Sequence, residues 1–110
     1  MEKDFIPYEE ALALKELEFD EPCFMYYSDN GELYKSNLYG ISAPTFSQAF
    51  RWFRENYDLF GVVEGKGYEH KRYYIYSING KWHPSQPAID TYEEAELACL
   101  KKLIEISKNK

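Results

Sequence analysis

Tyr27-Ser28-Asp29-Asn30-Gly31 and Tyr76-Ser77-Ile78-Asn79-Gly80 are near-copies of one another, each behind an aromatic run. Asn-Gly is the strongest short signal for a β-hairpin, because a type I′ turn needs positive φ at both central residues. The first copy predicts a strand over Cys23–Ser28 that returns through Glu32–Leu38. The second predicts a long strand over Tyr68–Ile78, returning through Lys81-Trp82-His83 until Pro84 and Pro87 stop the ladder.

Working outward, a helix start flanks each hairpin: Pro7-Tyr8-Glu9-Glu10-Ala11, Thr45-Phe46-Ser47-Gln48-Ala49 and Thr91-Tyr92-Glu93-Glu94-Ala95. Proline suits a first helical turn, and Glu9 and Glu10 favour the positive end of the helix dipole. That helix should end before Asp20-Glu21-Pro22, with Ala11, Leu14 and Leu17 on its apolar side and Leu12 and Phe19 directed elsewhere. Thr45 with Gln48, and Thr91 with Glu94, have the spacing of capping boxes. Phe46, Ala49, Phe50, Phe53, Tyr57 and Phe60 form one stripe at spacings of three and four, opposite Arg51, Arg54 and Asp58. In the last helix Tyr92, Ala95, Cys99, Leu103 and Ile106 form the stripe, widened by Leu97, Leu100 and Ile104.

Phe60–Glu64 adds a short strand that would turn at Gly65-Lys66-Gly67. The expected fold class is therefore α+β, in the order αββαβββα. It is an antiparallel sheet built from two Asn-Gly hairpins, packed by three helices in a single domain over residues 1–110. The echoes also raise an approximate internal duplication. Turns and helix starts recur at different spacings, so recurring turn and cap chemistry alone could generate the echoes.

At 110 residues, 45% hydrophobic and 18% aromatic, the chain has the material for one packed core. Net charge is −6, and residues 1–32 alone hold ten acids against two bases. Residues 33–83 are mildly basic. This acidic balance argues against general DNA binding, which needs clustered Lys and Arg to neutralise phosphates. No apolar run approaches the ~20 residues of a membrane span, and the start of the chain lacks a signal-peptide core. A cytoplasmic address is expected, with no membrane partner.

Chemistry-bearing constellations are sparse. His70, His83, Cys23 and Cys99 show none of the close pairs of a zinc site, and no G-x-S-x-G elbow occurs. Cys99 falls inside a core helix, where a thiol packs as a small apolar group. Gly65-Lys66-Gly67 lacks the spacing of a phosphate loop. We expect no catalytic residues, no metal and no cofactor, and therefore no enzyme.

Two surfaces remain as candidates. Tyr26, Tyr34 and Tyr39 around the first hairpin, with Tyr74, Tyr76 and Trp82 around the second, suit a protein interface, because Tyr and Trp give large contact area at modest entropy cost. The expected partner is another protein or a second copy of the chain. The alternative is single-stranded nucleic acid along residues 66–76, contacted by Lys71, Arg72, Tyr73 and Tyr74, where bases could stack on exposed rings. Thr45–Ser107 also has the αβββα order of a double-stranded RNA-binding domain. Such domains present bases at the start of the last helix, whereas this chain has Asp90-Thr91-Tyr92-Glu93-Glu94.

The phrases Pro7–Leu17, Asp20–Phe24, Pro44–Tyr57 and Thr91–Ile106 taken together resemble a group of small uncharacterised bacterial proteins, often encoded near phage or mobile-element genes. The resemblance implies a non-secreted bacterial, phage-related accessory protein. It carries no site residues.

Overall fold

The computed structural model describes residues 4–35, 40–68, 71–82 and 89–109. The chain forms two compact units, Met1–Ala49 and Phe50–Lys110. Its elements are α1 (Tyr8–Glu16), β1 (Met25–Tyr27), β2 (Leu33–Tyr34), β3 (Ile41–Ala43), α2 (Phe46–Tyr57), β4 (Gly61–Tyr68), β5 (Lys71–Ile78), β6 (Lys81–Trp82) and α3 (Tyr92–Lys108). The boundary between the units falls within α2. The α+β class and the alternation of helices with hairpins are as expected. Two particulars differ. The strands form two antiparallel sheets, β2-β1-β3 and β4-β5-β6, and β3 lies in a stretch that reads as a loop.

In the first unit, α1 follows Pro7 and closes on a full Schellman motif. Phe19 N–H donates to the Leu14 carbonyl at 3.0 Å and Glu18 N–H to the Lys15 carbonyl at 3.0 Å. Glu18 takes the left-handed conformation, φ 69°, that glycine usually occupies. This reversal carries Phe19 inward, so Phe19 is buried beside Ala11 and Leu14 in the core, where the helical stripe alone does not place it. Tyr27 completes that core. Its hydroxyl donates to the Ile6 carbonyl at 2.7 Å, and its ring meets Tyr8 edge-on at 5.3 Å.

The two Asn-Gly turns are not alike. Ile78 pairs with Lys81, leaving Asn79 and Gly80 as a two-residue loop with φ of 55° and 77°, the expected type I′ turn. In the first hairpin Ser28 N–H donates to the Glu32 carbonyl at 2.9 Å, so the loop is three residues, Asp29-Asn30-Gly31. Only Gly31 has positive φ, 83°. That is a type I turn followed by a left-handed glycine, a correction to the type I′ expectation. Ser28 donates its hydroxyl to Asn30 Oδ1, which holds Asn30 in this arrangement.

Each sheet sets the same three parts side by side: the hairpin's return strand, its central strand, and a third strand. The third strand follows the hairpin in the first sheet (β3) and precedes it in the second (β4). The resemblance between the two sequences therefore stops at the hairpin.

α2 is capped as expected, Gln48 N–H donating to Thr45 Oγ1 at 3.2 Å. The Gln48 side chain reaches away from Thr45, donating to the Pro22 carbonyl at 3.0 Å and to Glu21 Oε1 at 3.3 Å. The buried stripe is Phe46, Ala49, Trp52 and Phe53, while Phe50 and Tyr57 are half-buried and Phe60, beyond the helix end, is exposed. Asp58, at φ 56°, ends the helix and turns Leu59 into the core.

In the second unit α3 packs across β4 and β5. Thr91 caps it, accepting from Glu94 N–H at 3.1 Å and donating to Glu94 Oε1 at 3.0 Å. Ala95, Cys99, Leu100, Leu103 and Ile104 are buried, whereas Tyr92 at the first turn is 45% exposed. Gly61 lies directly beneath the helix. A Cβ there would fall 2.9 Å from Cys99 Sγ and 3.1 Å from a Leu103 methyl.

Candidate functional site

β4 runs unbroken from Gly61 to Tyr68, so Gly65-Lys66-Gly67 is strand and not the turn that its composition suggests. The register of β4 on β5 places Gly65 opposite Tyr74, Lys66 opposite Tyr73 and Gly67 opposite Arg72. Residues 69 and 70, which join the strands, lie outside the described residues.

Asn79 fixes the hairpin at its near end. Its N–H donates to the Phe60 carbonyl at 2.9 Å, its Oδ1 accepts from Phe60 N–H at 2.7 Å, and its Nδ2 donates to the Asp58 carbonyl at 3.3 Å. One asparagine thus closes the turn and latches the chain entering β4. The Phe60–Asn79 bond also sets the parity of the ladder, since hydrogen-bonded and non-bonded pairs alternate in an antiparallel pair. Val62, Glu64, Lys66 and Tyr68 direct their backbone groups at β5, and Gly61, Val63, Gly65 and Gly67 direct theirs away from it. On β5 the same parity points Tyr74 outward, where its N–H and carbonyl bond Ile89 at 2.8 and 3.3 Å.

β4 is the edge of its sheet, and its outward row makes no backbone hydrogen bond among the described residues. Val62, Glu64, Gly65, Lys66 and Gly67 are all exposed. Glu64 and Lys66 pair with each other at 3.5 Å, on side chains about half exposed, so this bond holds either charge only weakly.

Successive side chains on a strand face opposite ways, which divides the site. On the face toward α3, Gly65 and Gly67 leave a gap bordered by Tyr74 and Arg72. With Lys66, which links the two glycines along the strand, these residues line an open cleft of about 410 Å³. The Tyr74 ring occupies part of the space a side chain at Gly65 would need, 3.3 Å from that Cβ position, and meets Tyr92 edge-on at 5.9 Å. The opposite face carries Lys66, Lys71 and Tyr73, the last 41% exposed. The nucleic-acid set Lys71, Arg72, Tyr73 and Tyr74 is therefore split, Lys71 and Tyr73 on one face and Arg72 and Tyr74 on the other. These four side chains cannot line one track. α2-β4-β5-β6-α3 keeps the αβββα order, and exposed Glu93 and Glu94 stand at the start of its last helix.

The six aromatic candidates divide as well. Tyr26 is half-buried, its hydroxyl oxygen accepting from Cys23 N–H at 3.3 Å. Tyr34, opposite Tyr26, is 37% exposed and donates to Glu32 Oε2 at 2.6 Å. Tyr74 is half-buried at the cleft. Tyr76 is buried at 9% exposure and offers little surface, because its side chain lies on the α3 side of the sheet, a correction to the expected set. Trp82 pairs with Ser77 in β6, and Tyr39 lies outside the described residues.

Both cysteines are free. Burial pushes the Cys99 thiol up to about 12, with Glu96 adding to it. Cys23 is pushed up to about 11, chiefly by burial with Glu21 adding to it, against the opposing effect of its hydrogen bonds with Ser42 and with Gln48 Oε1, which accepts from the thiol. Both stay protonated at neutral pH, where a reactive cysteine would be a thiolate. Among the described residues no three His, Cys, Asp or Glu converge on a metal position, and no helix is long and apolar enough to cross a membrane. His70 and His83 lie outside the described residues.

A raised thiol pKa means that the folded chain holds a proton the unfolded chain releases near pH 9. Stability from this source is whole below that pH and is lost as pH rises toward 12. Chemical denaturation at pH 8 and pH 10.5 should therefore show a larger loss for the wild type than for Cys99→Ala. Equal losses would show that Cys99 is not desolvated in this way.

The chain matches no protein-family model, no curated protein and no solved structure.

Proposed function

We propose that this chain is a non-enzymatic interaction protein, a cytosolic accessory factor in the sense its sequence resemblance implies. It binds by accepting an extended protein strand along β4. The observation that carries this reading is the eight-residue edge Gly61–Tyr68, whose outward backbone row is unmatched among the described residues. Such a row is a template for strand addition, in which main-chain bonds supply affinity and neighbouring side chains supply selectivity. Natural edges are commonly protected by charged side chains, proline, bulges or short length. β4 has no proline and is long, with Glu64 and Lys66 its only charges.

Amide exchange tests it. In dilute protein the outward amides of Val63, Gly65 and Gly67 should exchange much faster than those of Val62, Glu64 and Lys66. An excess of a synthetic extended peptide of alternating Thr and Val should slow the outward set selectively. Outward amides already protected in dilute protein, or peptide effects confined to other strands, would overturn the reading.

A specific observation favours one second reading. Tyr73, Lys66 and Lys71 share an exposed sheet face on which a base could stack. Titration with a fluorescent thymidine oligomer at ~10 mM salt is the check, because phosphate contacts are strongest there. Salt-dependent binding abolished by Tyr73→Ala would move the working surface to that face.

A further inference from the structure

We infer that the strand β4 accepts is β4 of a second copy, paired antiparallel about a two-fold axis at Gly65. The inference rests on the strand-addition reading and names its partner. Only residues 61, 63, 65 and 67 direct backbone groups outward, so a symmetric antiparallel partner must set these opposite one another. That leaves a short series of registers. Centring on Glu64 sets two glutamates face to face, and centring on Lys66 does the same with two lysines. Like charges directly opposite destabilise a strand pair. Centring on Val63 sets Glu64 against Val62, and centring on Gly67 sets Lys66 against Tyr68, so neither gains a charge pair. Centring on Gly65 sets Glu64 opposite the second copy's Lys66, and Lys66 opposite its Glu64.

In that register both pairs are non-hydrogen-bonded positions, where opposed side chains approach most closely. The 3.5 Å Glu64–Lys66 contact within each strand then becomes one side of a square of alternating charge. Gly65 at the axis has no side chain to obstruct the crossing. The two three-stranded sheets join as β6-β5-β4-β4-β5-β6, and no open edge remains between them.

Charge reversal tests the register by sedimentation equilibrium over micromolar to millimolar concentrations. Glu64→Lys alone sets lysines against lysines, and Lys66→Glu alone sets glutamates against glutamates. Each should weaken association by at least about tenfold. The double variant Glu64→Lys, Lys66→Glu restores opposite charges and should restore association. Mixing the two single variants should give a heterodimer tighter than either homodimer. Circular dichroism on each variant separates loss of folding from loss of pairing, and the mixing result is itself evidence that both chains are folded. A wild-type chain that remains monomeric at millimolar concentration, or dimers indifferent to both reversals, overturns the inference. Protection of Gly65 by the Thr/Val peptide does not depend on which protein supplies the strand. A monomeric wild type that still accepts the peptide would sink the second copy and spare strand addition.

Discussion

Phe53→Ala should lower the stability of the chain by about 3–5 kcal/mol, the largest effect expected of any single truncation here. Phe53 is completely buried, and its ring meets Trp52 edge-on at 5.1 Å and Tyr57 at 5.9 Å. Truncation removes the apolar area and leaves a cavity that Trp52 and Tyr57 cannot close by small shifts. Small domains have only about 5–15 kcal/mol in total, so the variant should be close to unfolding at room temperature. Phe50 is half-buried and should cost less, about 1–2 kcal/mol. Arg51 and Arg54 are exposed, and alanine at either should change stability by about 0.5 kcal/mol or less. Urea melts of the four variants give the ranking. An arginine variant less stable than Phe53→Ala would show that the helix is rotated from the arrangement described.

Gly61→Val should cost about 3 kcal/mol, although valine is the better strand former. Two effects compete. Removing a glycine from a strand gains roughly 0.5–1 kcal/mol from reduced freedom in the unfolded chain. Against it, even the first added carbon would lie 2.9 Å from Cys99 Sγ and 3.1 Å from Leu103, inside van der Waals contact, and valine adds two more. The obstructing atoms belong to buried residues of α3, so relief requires α3 to lift from the sheet. The clash should win. Cys99→Ala in the same chain vacates part of the space, so the double variant should be more stable than the sum of the two single losses. Strict additivity would show that Gly61 and Cys99 are not in contact.

Helices were the most legible part of this sequence, because capping residues and spacings of three and four are local properties. Thr45 and Thr91 cap as their positions suggest, and Ala49, Phe53, Cys99 and Leu103 are buried as their stripes require. Phe60 and Tyr92 depart from those stripes where helix geometry ends or begins. Phe19 was hidden by a different cause, since a left-handed Glu18 reverses the chain after α1 and glycine is the residue that usually signals this. β3 is three residues between Gly40 and Pro44, too short for alternation to show. The site was least legible. Gly65-Lys66-Gly67 has turn composition, and only pairing with β5 reveals it as an edge strand. Whether a tyrosine is covered is likewise a tertiary matter: Tyr34 and Tyr76 both lie in hairpin strands, one exposed and the other buried.

The two ends of the β4–β5 ladder are held very unequally. At the near end Asn79 latches Phe60, Gly61 lies under Cys99 and Leu103, and Tyr76 and Ile78 are buried. Toward the far end Gly65 and Gly67 offer no side chains, and Lys71, Arg72 and Tyr73 stand in solvent. Local opening free energy should therefore fall along the ladder, so fraying is expected first around the Tyr68–Lys71 and Gly67–Arg72 pairs, even though residues 69 and 70 join the strands there. A strand docked on β4 would spend part of its binding energy suppressing that fraying. Affinity at this edge is then set jointly by the contacts made and by how often the far end is closed when the partner arrives.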